Sequence, residues 1–111
     1  MARVPFPEET ARLVLNRAAG RCERCGLRVA IPALHHRKPR GMGSSTADPH
    51  AVDNVVALDD NCHRWVHAHP LRAVLDGWTV PRWGDPAGVP IVGWMGPVLL
   101  TEAGSYETAP P

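Results

Sequence analysis

Little in this chain is available to build a large core. Of its 111 residues, one is phenylalanine and one is tyrosine, against 12 prolines and 10 glycines. A chain of that length buries a modest core, loops and turns take a large share, and a bound metal would help hold the body together. Long apolar runs are also missing. No stretch approaches the roughly 18 residues of a membrane span, and the opening MARVPFPEE lacks the apolar segment of a secretory signal. The expectation is a soluble, cytoplasmic protein with no membrane partner. Cysteine is scarce too, and the three present cannot all pair within the chain. Two form CERC, Cys22 to Cys25, and the third, Cys62, stands in LDDNCHRWVHAH. Without an export signal, this pattern favours thiolates on a metal over a disulfide framework. A CxxC redox pair is the alternative, although the strand and helix of a thioredoxin-like unit are not around it.

The net charge of +1 conceals an asymmetry. Residues 1–40 carry nine Arg or Lys against three Glu, and residues 41–111 carry three Arg against eight acids. The first third has the charge to face phosphates and the remainder does not.

Along the chain, EETARLVLNRAA (8–19) reads as a helix. Glu8 and Glu9 lie in its first turn, where they suit the dipole, Leu13, Leu15, Ala18 and Ala19 provide an apolar side, and Gly20 ends it. CERCG reads as a tight knuckle, and LRVAIPALHH (27–36) as an edge or irregular strand despite Pro32. KPRGMGSSTADPHAVD (38–53) has no periodicity and is read as a loop, NVVAL (54–58) is a short strand, and Asp59 or Asp60 caps a helix running to Pro70. A further helical turn fits Leu71 to Asp76. Beyond it, WTVPRW, VPIVGW and PVLLTEAGSY are β-leaning runs, consistent with a small hairpin or an irregular tail wrapped on the body, with Trp78, Trp83 and Trp94 expected to pack there and ETAPP expected to fray.

Histidine carries the chemistry. His63 and His67 are four residues apart and share one helix face, a spacing that can hold one divalent ion. His35 and His36 end the preceding strand. If His35 turns toward the helix as a third ligand, His36 is left beside the metal to move a proton. That division suits phosphodiester hydrolysis, with a metal on His35, His63 and His67, or on two of them with waters, stabilising charge on the phosphate and neutral His36 taking the proton of the attacking water. Arg37, Lys38, Arg40 or Arg64 would meet neighbouring phosphates, and Gly41 and Gly43 would let the loop approach a backbone. His50 has no matched role.

In their order and spacing, CERC, HHRKPRGMG, DNVVAL and NCHRWVH closely resemble the HNH endonuclease family, with its ββα-metal (His-Me finger) core, particularly small zinc-knuckle members of phages and bacteria. The similarity covers about residues 20–75, and the tail also resembles that of actinobacterial phage members. The resulting expectation is an α+β fold in a single domain over residues 1–111: an N-terminal helix, a zinc knuckle, a small ββα-metal core at about 20–75 and an irregular β-leaning tail at about 76–111. The resemblance implies that His36 is the general base, Asn54 the middle residue of the motif, and His63 the last one and a metal ligand. The residue before the base, His35 here, commonly binds the catalytic metal, and His67 matches an extra helical ligand of some members, with His69 its substitute. Mg, Mn, Ni or Zn serves at this site in the family. Asn54 would bond the loop backbone and hold the strand ends that aim His36.

The knuckle departs from the family pattern. Relatives in this subgroup have a second CxxC whose last cysteine precedes the final motif histidine. Here those four residues are Asp59, Asp60, Asn61 and Cys62. Cys22, Cys25 and Cys62 are retained, and Asp59 stands where the fourth thiolate would be. A structural zinc on Cys22, Cys25, Cys62 and Asp59 is chemically possible, as is water in the fourth position. The open alternatives are that Asp59 only caps the helix over reduced thiols, or that Cys22 and Cys25 oxidise without zinc. The function implied is a metal-dependent DNA endonuclease, acting with terminase and portal proteins in phage genome packaging. The rivals are a non-catalytic zinc-containing nucleic-acid-binding module and a packaging accessory.

Overall fold

In this computed structural model, residues 6–38 and 48–110 are described. Helix α1 spans Glu8–Ala18, with Glu8 and Glu9 in its first turn. It ends as Ala19 and Gly20 turn left-handed, at φ 54° and 81°, and the Ala19 N–H bonds the Leu15 carbonyl at 3.0 Å. Its buried stripe is Thr10, Val14, Arg17 and Ala18, whereas Leu15 is 41% exposed and Ala19 is also exposed. The expected apolar side is thus kept in part: Ala18 is buried and Leu13 packs at the edge of the α1-side core, while Leu15 and Ala19 face outward. The helix docks by the i, i+4, i+7, i+8 row, in which the large polar member, Arg17, finds an acid inside.

In the knuckle, Gly26 at φ 80° lets its N–H return to the Cys22 carbonyl, while the Cys22 N–H bonds the Leu27 carbonyl, each at 2.9 Å. Leu27–Pro32 contains no strand, only an isolated bridge between Arg21 and Arg28. Strand β1 is Ala33–His36 and pairs antiparallel with β2, Val55–Leu58, so that His35 lies opposite Val56 and His36 opposite Val55. Asn54 closes a 3-10 turn, Val52–Asn54, just before β2. Helix α2 is Asp60–Ala68 and α3 is Pro70–Leu75.

Side chains alternate across a strand, and β2 is buried on both faces. Val56 and Leu58 join Cys62 and Val66 of α2 in one core; Val55 and Ala57 join Phe6, Val14 and Ala18 on the α1 side in another. The hairpin is thus a partition with a helix on each face. Neighbours on β1 must part company across it: His35 faces α2 and His36 faces the α1 side.

The tail is β-structured, as its composition suggests, but more regular than an irregular tail. Strands β3 (Ile91–Gly93), β4 (Gly96–Leu100) and β5 (Tyr106–Thr108) form a three-stranded antiparallel sheet in the order β3-β4-β5. It is regular, and Glu107 and Thr108, expected to fray, are paired. WTVPRW forms no strand. Trp78 is fully buried beside Ile91 and Leu100 in the α2-side core, while Trp83 and Trp94 are 85% and 51% exposed, so only one of the three tryptophans packs inside. At φ 82°, Gly77 leaves no room for a Cβ against the Pro90 carbonyl, and the chain can pass there only because it is glycine.

A buried ionic network joins these layers. Arg17 Nε and Nη2 donate to the two Glu23 carboxylate oxygens at 2.8 Å, and Arg17 also donates to the Val52 and Val55 carbonyls. Glu23 further accepts from the Ala57 N–H at 2.9 Å and the Tyr106 hydroxyl at 2.6 Å. The glutamate inside CERC thereby ties α1, β2 and β5 to the knuckle. Burial and the Glu23 charge push the Tyr106 hydroxyl well above its ordinary value. Among the described residues, no helix is long and apolar enough to cross a membrane.

Candidate metal centres

His35, His63 and His67 each offer a nitrogen, and these three atoms lie within 4.8 Å of one another. The two faces of the hairpin dictate this meeting: His35 points to α2, and on α2 the i, i+4 spacing stacks His63 and His67 toward it. The rings of His63 and His67 lie 5.4 and 5.6 Å from that of His35. Two nitrogens held 2.0–2.1 Å from one tetrahedral ion lie about 3.3–3.4 Å apart. The Nε2 atoms of His63 and His67 are 3.3 Å apart. His35 Nε2 lies 3.2 Å from the Trp78 carbonyl, which can only accept, so the proton sits on Nε2 and Nδ1 keeps the lone pair. Burial, then the adjacent His63 and His67, lowers the His35 pKa to about 4. Burial and His67 lower that of His63 as well. Neutral imidazoles at physiological pH are what a cation requires, and the donor set fits a divalent transition ion. His69 stays outside, stacked on Trp65 at 5.0 Å with Nδ1 bonded to the Trp65 carbonyl.

Across the partition, His36 stacks face to face on Phe6, with ring centroids 4.4 Å apart. Its Nε2 lies 3.2 Å from Nδ1 of His50. Asn54 is 3% exposed and bonds backbone just after β1 and just before the turn that leads into β2. Its Oδ1 accepts from the Lys38 N–H at 2.9 Å, and its Nδ2 donates to the Lys38 and Pro49 carbonyls at 3.0 Å each. One amide therefore clamps the residue two after His36 to the residue just before His50. Sequence reasoning missed His50, because its contact spans a 14-residue separation that no periodicity encodes.

The second cluster is Cys22, Cys25, Asp59 and Cys62, whose ligand atoms also lie within 4.8 Å of one another. Asp59 divides its carboxylate. Oδ1 accepts from the Cys62 N–H at 2.7 Å, which makes it the cap of α2, while Oδ2 accepts from the Cys25 thiol at 3.0 Å. Capping and facing the thiols are not exclusive here. Although partial burial alone would raise it, hydrogen bonds from Cys25 and Cys62 hold the Asp59 carboxyl below its ordinary range. Burial pushes the Cys62 thiol up to about 12, even with Arg24 Nη1 donating to its sulfur at 3.3 Å. Three sulfurs and one carboxylate oxygen suit zinc, whose charge would offset the cost of forming thiolates there. The cysteines are free thiols, with no disulfide.

The basic residues expected to meet phosphates divide differently. Arg37 is fully buried and donates to the carbonyls of Gly77, Asp53, Pro86 and Val89. Burial, then the like charge of Arg17, brings its pKa down to about 10. Lys38 is 8% exposed, with Nζ bonded to the Gly84 carbonyl. Both tie the C-terminal segments to the hairpin, so neither is available to DNA. Arg64 is exposed on α2 one residue from His63, while Arg40, Gly41 and Gly43 fall outside the described residues. Behind Asn54 lies an acidic recess of about 250 Å³ bordered by Asp48, Asp53, Asp85 and Glu102, a surface that repels phosphate. No family model, curated protein or solved structure matches the chain. What the geometry itself establishes is a compact α+β domain, with a small ββα-type unit, that carries two candidate metal-binding clusters.

Proposed function

We propose that the chain is a metal-dependent DNA endonuclease of the HNH type, and that its two clusters divide the work. The observation that carries this reading is the meeting of His35, His63 and His67 at metal-ligand spacing, with His36 next to His35 on the same strand. A structural zinc module alone would need the thiol cluster and not this one.

In this reading, His35 through Nδ1, together with His63 and His67, holds the catalytic ion. Three imidazoles favour Zn or Ni over Mg, which prefers oxygen donors and retained water. Once bound, the ion supplies positive charge to the scissile phosphate and the leaving oxygen. His36 receives the proton of the attacking water. Asn54 keeps the loop ends together and so holds His36 at the end of β1. Arg64 is the described cation best set to meet a neighbouring phosphate. Cys22, Cys25, Cys62 and Asp59 hold a structural zinc that joins the knuckle to the start of α2. Because the net charge is only +1, we further infer that a larger DNA-translocating partner, of the terminase and portal kind, supplies most of the DNA affinity.

Supercoiled plasmid incubated with the protein and Mg, Mn, Ni or Zn in turn tests the reading. Nicking or linearisation that needs the ion and is lost in His36→Ala is expected. Retained DNA binding with no cleavage under any ion would instead favour the non-catalytic module, a reading that the burial of Arg37 and Lys38 makes less economical, since such a module depends on exposed cations.

A further inference from the structure

We propose that His50 is a positioning residue for His36: through its Nδ1 it fixes the orientation and tautomer of the proposed general base. The inference rests on the nuclease reading for its catalytic consequence, and on geometry for the pair itself.

His36 Nε2 and His50 Nδ1 lie 3.2 Å apart, a hydrogen-bond distance that requires one nitrogen to donate and the other to accept. Only one assignment survives the proton transfer. When His36 takes a proton, both of its nitrogens carry hydrogen, so its Nε2–H must donate and His50 Nδ1 must accept. The same assignment in the resting protein puts the His36 proton on Nε2 and leaves Nδ1 as the basic nitrogen. The step then balances. A water O–H bond breaks, its proton goes to His36 Nδ1, and its electron pair stays on the oxygen that attacks phosphorus. The bond to His50 is present before and after and strengthens when His36 becomes a cation.

His50 is held for this task. Its carbonyl accepts from Thr10 Oγ1 at 2.7 Å, its N–H bonds Asp48 Oδ1 at 2.9 Å, and the residue before it, Pro49, is fixed by Asn54 Nδ2 at 3.0 Å. Helix α1 and Asn54 thereby set the acceptor, while Phe6, 4.4 Å away, fixes the ring plane of His36. Asn54 bridges the backbone two residues after His36 to the backbone just before His50. The Asn54 clamp therefore serves the His36–His50 pair as well as the end of β1.

Two near-isosteric variants separate the possibilities. In His50→Asn, Oδ1 stands near where Nδ1 stood and can accept; in His50→Leu, the space is filled with no acceptor. Second-sphere partners of this kind are worth about 10–100-fold. We expect His50→Leu to lower kcat by about that factor with KM within about twofold, and His50→Asn to recover most of it. The ¹⁵N shifts of His36 should report the Nε2–H tautomer in the wild type and in His50→Asn, and a smaller share of it in His50→Leu. Backbone amide spectra serve as the check on fold. An unchanged kcat in a folded His50→Leu, or an unchanged His36 tautomer, overturns the proposal. If the wild type cleaves DNA with none of the four ions, the nuclease reading fails, and the tautomer measurement by itself then tests the pair.

Discussion

Asp59 offers the most discriminating single substitution, because its two oxygens do separate jobs. Oδ1 caps α2 through the Cys62 N–H, and Oδ2 faces the Cys25 thiol among the candidate zinc ligands. Asp59→Asn keeps an oxygen for the cap and replaces the other with an amide NH₂ that cannot ligate. Asp59→Ala removes both. Loss of an N-cap costs about 1 kcal/mol. At about 2.1 cal/mol/K per residue, a 111-residue chain unfolds with about 0.23 kcal/mol/K of entropy, so 1 kcal/mol shifts Tm by about 4 °C. Zinc-saturated Asp59→Ala should therefore melt about 4 °C below zinc-saturated Asp59→Asn. For the metal, a quarter of the roughly 10–16 kcal/mol of a four-ligand zinc site is about 2.5–4 kcal/mol. Water entering the fourth position returns part of that, which leaves a loss of at least about tenfold in zinc affinity for both variants. Competition with a chromophoric chelator measures the affinity, and thermal unfolding at saturating zinc measures the cap. Wild-type zinc affinity in Asp59→Asn would refute the ligand role and leave Asp59 a cap. Equal melting of the two variants would refute the cap.

Other consequences follow from the buried charges. Glu23→Gln leaves the Arg17 guanidinium buried against a neutral partner, with side-chain exposures of 1% and 0% in the native pair. That should cost about 3–5 kcal/mol in denaturant unfolding, and a loss under 1 kcal/mol would show that the pair contributes little. Acid should also weaken the metal-free protein through His35, whose pKa is lowered from the ordinary 6.5 to about 4. The unfolded chain takes up this proton near pH 6.5 and the folded one only near 4, so stability falls as pH drops through that window, by about 3 kcal/mol from this group. Denaturant titrations at pH 7, 5.5 and 4 should show that slope in the wild type and a shallower one in His35→Asn; identical slopes would contradict it. Zinc held by the thiol cluster should be lost more readily as pH falls, because each thiolate formed on binding releases a proton, and an affinity independent of pH between 6 and 8 would argue against thiolate ligation.

What the sequence determined by itself is local. The i, i+4 spacing of His63 and His67, the CxxC turn with its glycine, the aspartate at the start of α2 and the adjacent His35 and His36 are short-range patterns, and backbone geometry alone sends them where they go. Spacing alone pairs His63 with His67 and Cys22 with Cys25; His35, and Asp59 with Cys62, join them only because the hairpin, the knuckle and the start of α2 pack together. The tertiary structure decided what depends on partners far along the chain. Arg17 and Arg37 read as surface charge, yet they are buried because Glu23 in one case, and carbonyls from residues 53 to 89 in the other, satisfy their guanidinium donors. Trp83 reads like Trp78 but only the latter lies over the α2-side core. His50 acquires its His36 neighbour where Asn54 bonds both Lys38 and Pro49. Periodicity records which face a residue occupies, whereas the burial of a charge or the partner of a loop histidine is settled by which distant donors and acceptors the closed fold brings within about 3 Å.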